Sequence, residues 1–121
     1  MPELYSIDFD QRGNCLIARV SGEIDISNAE IIGERLATRF DSADHYVIDL
    51  SATTHLDSAA IHLLFTIGDR LRTRRQPLTL VVPETSPVRR VLEITRIGTV
   101  IELSADLDDL IKRDRGDVSG I

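Results

Sequence analysis

The chain has 121 residues, 42% of them hydrophobic and 28% charged, which suits one domain with one apolar core and excludes a chain that is disordered throughout. A formal net charge of −6 repels a phosphate backbone on average and argues against direct nucleic-acid binding, although the arginines can still form a local patch. The single cysteine, Cys15, excludes an intramolecular disulfide, and no apolar run approaches the ~18 residues that a membrane span needs. The N-terminal Met-Pro-Glu-Leu-Tyr-Ser lacks the basic and apolar regions of a signal peptide, so a cytoplasmic location is expected. No internal repeat, low-complexity segment or long linker divides the chain.

Residues 4–9 and 15–20 read as two strands, joined by the polar, glycine-containing stretch Asp10–Asn14 that a hairpin requires. Cys15 opens the second strand and is expected to be a buried, inert thiol. Ser27 and Glu30 have the spacing of a capping box, followed by Ala29, Ile32, Gly33, Leu36 and Phe40 on one face of a helix over about 27–40. Val47, Ile48 and Leu50 form a short buried strand, and Ser51 to Thr54 form a polar connector. Asp57 or Ser58 is the N-cap of a helix whose apolar series runs Ile61, Leu64, Phe65, Gly68 and Leu71 to about Arg75, with Asp69, Arg70, Arg72, Thr73 and Arg74 on a solvated outer face. Pro77 stops it.

Leu78–Val82 is another buried strand, closed by Pro83. Val88, Val91, Leu92 and Thr95 mark a third helix that ends at Ile97-Gly98, and residues 99–103 form a short last strand. Leu107, Leu110 and Ile111 form the apolar face of a small helix capped by Ser104 or Asp106, after which Lys112 to Ile121 are expected to fray. Strand and helix units in this order give an α/β domain over residues 1–111: a mixed sheet of about five strands with helices packed mainly on one face.

Two stretches resemble the STAS domain family, specifically the bacterial anti-sigma factor antagonists. Gly22-Glu23-Ile24-Asp25 resembles the family's Gly-Glu-Leu-Asp stretch, and the run from Val47 to Ile61, with Asp57-Ser58 at a helix start, resembles its signature strand, linker and Asp-Ser-Ser-Gly. The resemblance extends over roughly residues 4–111 and implies the same fold. It implies that Ser58 is the acceptor of a partner kinase's phosphate, that Asp57 orients it, and that Asp25, Asp57, Ser58, Ala59 and Ala60 form the docking surface. Read from the residues alone, Asp57-Ser58 is also an ordinary cap and Asp25 an ordinary turn carboxylate. The implied partners are an anti-sigma factor of the histidine-kinase-like ATPase type acting as a serine kinase, and a phosphatase. No cofactor is implied. The sequence departs from the family where Ala59-Ala60 stands in place of Ser-Gly, which keeps open a phosphorylation-independent scaffold or ligand-binding module.

Enzymatic readings fit less well. His55, Asp57 and Ser58 are the residue types of a hydrolase triad, but three neighbours on one loop cannot easily relay in line, and no glycine-framed elbow surrounds the serine. His45, His55 and His62 show no metal-ligand spacing, and no cysteine supports them, so no metal site is expected. Asp49 at a strand end invites comparison with a receiver domain, yet the acidic pair after the first strand is missing and the one lysine, Lys112, lies near the tail.

Overall fold

The computed structural model describes residues 4–114, and its longest strand sets the frame for the rest. Strand β1 (Tyr5–Arg12) pairs antiparallel with β2 (Cys15–Ile24) in an unbroken register from Tyr5↔Gly22 to Arg12↔Cys15. That register leaves Gly13-Asn14 as a two-residue turn, tighter than the expected connector Asp10–Asn14, and Gly13 takes the positive φ of 58° that such a turn requires. β2 is ten residues long because two further strands lie in succession along its other edge. Its first half pairs parallel with β3 (His45–Asp49) and its last residues with β4 (Thr53–Leu56).

β4 falls where the sequence indicated a polar connector, and it raises the sheet from about five strands to six. Its polarity is satisfied by the neighbouring strand: Thr53 is 1% exposed, and its hydroxyl donates to the Val20 carbonyl at 2.6 Å. Between β3 and β4 the chain turns at Leu50-Ser51-Ala52, where Asp49 accepts hydrogen bonds from the amide and hydroxyl of Ser51 at 2.9 and 2.6 Å. Arg19 lies 3.5 Å from the same buried carboxylate, so Asp49 serves the turn. Opposite this turn, β2 bulges at Gly22, whose φ is 91°. A Cβ there would lie 2.0 Å from the Leu4 carbonyl oxygen, which accepts the Glu23 amide.

The remaining elements are α1 (Ala29–Ala37), α2 (Ser58–Thr73), β5 (Leu78–Val81), α3 (Arg89–Ile94), β6 (Glu102–Ser104) and α4 (Leu107–Asp114). The sheet runs β1-β2-β3-β5-β6, with β4 beside β2. Residues 97–99, expected to end a helix and begin the last strand, form a 3₁₀ turn, so β6 begins only at Glu102.

Side-chain alternation divides the core into two layers. Leu16, Ala18 and Val20 of β2, with Tyr46, Ile48 and Leu80, face α1, α2 and α3. Four positions of α2, Ala60, Leu64, Ile67 and Leu71, are buried there. A helix of this length is marginal alone, and burial worth about 1.5–3 kcal/mol for each large aliphatic side chain is what holds it. Tyr46 is fully buried against Phe40, and its hydroxyl reaches the Leu36 carbonyl at 2.9 Å, anchoring the end of α1 to the sheet. Cys15, Ile17, Val47 and Val81 face the other way and are covered by Leu107, Leu110 and Ile111 of α4.

Asp106 caps α4, its Oδ1 accepting the Asp108 amide at 2.8 Å, while the Ser104 hydroxyl accepts the Asp106 amide. The helix continues through Lys112, Arg113 and Asp114, where fraying was expected, because Asp114 is tied to the sheet by His45. The expectation for residues 115–121 lies outside the described residues. Among the described residues no helix is long and apolar enough to cross a membrane.

Candidate functional site

The loops that follow β2 and β4 meet at the ends of those strands, and Asp57 joins them. It has the extended backbone of an N-cap, and its Oδ1 accepts the Ala60 amide at 3.0 Å, which decides the cap of α2 in favour of Asp57 over Ser58. Its Oδ2 accepts the Ile26 amide, also at 3.0 Å, and its own amide donates to the Ile24 carbonyl. The Ala60 amide, opposed in part by desolvation and helped by the amides of Ile26 and Ala59 and by nearby His55, holds the Asp57 carboxyl below its ordinary range. Ser58 is the first residue of α2 and is exposed beside this joint.

The loop before α1 is not the capping box that Ser27 and Glu30 implied. Ser27 donates both its amide and its hydroxyl to Asp25 Oδ1, at 2.9 and 2.5 Å, in a turn folded over an aspartate. α1 therefore starts at Ala29, two residues later than expected, and regular helix ends at Ala37, leaving Phe40 in a 3₁₀ turn. Asn28 is a site residue that sequence reasoning missed. Only 7% exposed, it accepts the Asp25 amide on Oδ1 at 2.9 Å and donates from Nδ2 to the Glu23 carbonyl at 2.8 Å, fixing the segment that carries Asp25. The pattern Asp-x-Ser-Asn is itself a turn signal, but here it competed with a plausible cap.

Between α1 and α2 lies a groove of about 360 Å³, with Ile26, Ala29, Ala59 and Leu63 on its walls and Glu30 and His62 also lining it. The helices approach closely at Gly33, where a Cβ would lie 2.7 Å from a Leu63 methyl. Ile26, at the mouth, is 82% exposed. Of the residues expected to form the docking surface, Asp25, Asp57, Ser58 and Ala59 lie together around these loops. Ala60 is fully buried, and only its amide serves the site.

A second polar cluster, on the α4 face of the sheet, was not expected. Cys15 and His45 are register partners at the starts of β2 and β3, and α4 brings Asp114 to them. His45 Nδ1 lies 2.7 Å from Asp114 Oδ1 and 3.8 Å from Cys15 Sγ, and the thiol lies 3.1 Å from Asp114 Oδ2. His45 thus has a cysteine beside it, contrary to the sequence reading, because the proximity comes from sheet pairing and not from chain spacing. Burial, with the hydrogen bond and charge of Asp114, pushes the Cys15 thiol up to about 12, so free of a cation it is a protonated, inert group.

A mixed sheet with its main helical layer on one face, and an exposed hydroxyl at a capped helix start beside an apolar groove, defines a small α/β domain. The chain belongs to the STAS domain family, whose model matches residues 6–110. It is similar to an anti-sigma factor antagonist from Mycobacterium paratuberculosis, with 26% identity and a TM-score of 0.81 over 92% of this chain and 94% of that one. SpoIIAA in its unphosphorylated form shares the fold at 18% identity and a TM-score of 0.72, over 92% of this chain and 97% of that one. The Bacillus cell fate determinant SpoIIAA in the phosphorylated form does so at 17% identity and 0.65, over 91% of this chain and all of that one.

Proposed function

We propose that this STAS domain is an anti-sigma factor antagonist that docks through the Asp25 loop and the start of α2, and that phosphorylation of Ser58 switches docking off. The observation that carries the reading is the bridge made by Asp57 between the Ile26 and Ala60 amides, which sets an exposed hydroxyl beside an exposed isoleucine and the mouth of a groove. In this reading Ser58 is the acceptor, Asp57 orients it, and Asp25, Ser58 and Ala59 contact the bound protein, with Ala60 contributing through its amide. The docked protein is an anti-sigma factor that is also a serine kinase of the histidine-kinase-like ATPase type. Sequestering it frees a sigma factor, a phosphatase resets the switch, and the chain itself performs no catalysis. Both events belong to the cytoplasm.

The chemistry supports a gate that spares the fold. A phosphoserine carries about −1.5 to −2 charges, and at an exposed helix start it meets dipoles that favour an anion by about 0.3–1 kcal/mol. The Ala60 amide is already taken by Asp57, so the added charge sits beside a carboxylate. Solvent screens that repulsion in the free protein. Inside a docked interface it does not, and a penalty of about 3 kcal/mol lowers affinity about a hundredfold.

A second reading, a phosphorylation-independent scaffold or ligand-binding module, is favoured by Ala59, whose methyl lines the groove where the family has serine. Capture from native extract on wild-type, Ser58→Ala and Ser58→Asp baits, with mass spectrometry of Ser58, separates the two. A kinase-type anti-sigma factor held by wild type and Ser58→Ala but released by Ser58→Asp supports the switch. Identical proteins on all three baits with Ser58 unmodified would falsify it and leave the static module.

A further inference from the structure

We propose that Cys15, His45 and Asp114 form a zinc site that fastens α4 to the start of the sheet. This site is at the opposite end of β2 from Ser58 and is independent of the proposed switch.

Hydrogen bonding on the far side of the imidazole sets its orientation. Thr79 Oγ1 lies 2.8 Å from both His45 Nε2 and Glu102 Oε1. A carboxylate only accepts, so the single Thr79 proton goes to Glu102, and Thr79 must accept from Nε2–H. This chain, from ring N–H through a hydroxyl to a carboxylate, is the outer support that metal-ligating histidines have. It aims Nδ1 at the space where the thiol and the Asp114 carboxylate converge.

The first shell fits the ion. One ligand atom from each of the three residues lies within 4.8 Å of the others. Sγ and Nδ1 are 3.8 Å apart, and the Asp114 carboxylate approaches Nδ1 at 2.7 Å through Oδ1 and Sγ at 3.1 Å through Oδ2. A tetrahedron built from zinc–ligand bonds of about 2.0–2.3 Å has edges of about 3.3–3.6 Å, which one of the two oxygens reaches by a shift of the carboxylate. The largest adjustment is an outward move of Asp114, in the last turn of α4 with a side chain 22% exposed. Sulfur, nitrogen and oxygen together suit borderline Zn²⁺ and not a hard cation. An entry path is present: a cavity of about 490 Å³ reaches both His45 and Asp114, with Asn14 and Asp44 on its wall, and supplies water for the fourth position. On binding, Zn²⁺ replaces the thiol proton and the proton that Nδ1 shares with Asp114 Oδ1; both leave to solvent, and the Zn–S and Zn–N bonds form without any change of oxidation state. The charge of the ion reverses the effects that keep this thiol protonated.

The test uses the whole chain stripped with a chelator, then titrated with Co²⁺ as a spectroscopic probe and with Zn²⁺ by calorimetry. The expected result is one ion per chain, a near-ultraviolet thiolate-to-cobalt band with tetrahedral visible bands, and an unfolding temperature raised by Zn²⁺. Cys15→Ser loses the thiolate band. Thr79→Val weakens Zn²⁺ by a factor of about 10 to 100, the range seen when supporting groups of a metal site are removed, and Asp114→Asn, which alters a ligand itself, weakens it at least as much. Circular dichroism and metal-free unfolding show whether each variant folds, and His62→Gln, remote from the cluster, binds like wild type. The proposal is overturned if the wild type takes up no ion. It is equally overturned if Co²⁺ gives no thiolate band, or if folded Asp114→Asn and Thr79→Val bind as tightly as wild type; the cluster is then an imidazole–carboxylate pair beside an inert thiol.

Discussion

Replacing Asn28 with alanine removes no residue that a docked protein is proposed to touch, yet it should loosen the loop that carries Asp25. Two hydrogen bonds are lost, from the Asp25 amide to Oδ1 and from Nδ2 to the Glu23 carbonyl. Each is worth about 1 kcal/mol net, and more where the stranded backbone group is kept from water. Asn28 is 7% exposed, so part of that extra cost applies, giving about 2–3 kcal/mol. For a chain of this size 1 kcal/mol corresponds to about 4 °C, so the unfolding midpoint should fall by about 10 °C. Urea unfolding measures the free energy, and hydrogen exchange at the Asp25 amide reports the loop directly. Asn28→Asp keeps the Oδ1 acceptor but sets a buried carboxylate oxygen against the Glu23 carbonyl in place of the Nδ2 donor, and should cost at least as much as Asn28→Ala. The Ile26 amide sits in the same segment and bonds to Asp57, so capture of the proposed partner should weaken as well. An Asn28→Ala protein within about 0.5 kcal/mol of wild type, with Asp25 exchange unchanged, would refute this account of the loop.

Two further outcomes follow from the same region. Gly22→Ala forces a side chain onto a φ of 91° and within 2.0 Å of the Leu4 carbonyl oxygen, so β1 must give way where that oxygen accepts the Glu23 amide. A positive-φ penalty of about 1–3 kcal/mol plus a weakened bond predicts at least about 2 kcal/mol in urea unfolding, and a variant as stable as wild type counts against the bulge. Asp57 has its carboxyl held below the ordinary 3.8 by amide hydrogen bonds, so its contribution to stability is complete above that value and is lost as pH falls through the folded value. Asp57→Asn should therefore unfold at lower urea than wild type at neutral pH, with the gap closing below 3.8; a gap that stays constant into acid contradicts the assignment.

What the sequence made legible was local. The Asp57 cap could be read from an aspartate standing before an apolar series of helical spacing, and β2 from its apolar run, although its two faces could not, because Cys15 to Ala18 are apolar on both. What it hid was polarity satisfied at a distance. β4 reads as a connector because Thr-Thr-His-Leu contains one aliphatic residue, and only the Val20 carbonyl, 33 positions away, makes Thr53 a core residue. The second bond of Asp57, to Ile26, spans 31 positions and carries no local signal. Asn28 failed for the opposite reason, since two local motifs were available and the turn won. Asp25 makes a better acceptor for the Ser27 amide and hydroxyl than a helix start makes for Ser27 as a cap.

The topology explains why the two polar clusters differ in kind. β2, β3, β4, β5 and β6 are mutually parallel where they pair, so their C-terminal ends gather on one side, and the loop after β4 leads directly into the N-terminus of α2. Free amides and short loops therefore collect at that end, which is where an exposed hydroxyl can be recognised and charged. The other end holds the β1–β2 turn and the strand starts, and the cover over it is one eight-residue helix. Leu107, Leu110 and Ile111 are few contacts for a helix so short, which makes α4 the layer most dependent on a polar fastening. Asp114 supplies it through His45 and Cys15, at the far end of α4 from its Asp106 cap, so the helix is held at both ends while the apolar residues fill the middle. A strand of ten residues, about 33 Å long, separates this fastening from the Ser58 end, and a loss of Asp114 should open α4 while leaving the Asp57 joint intact.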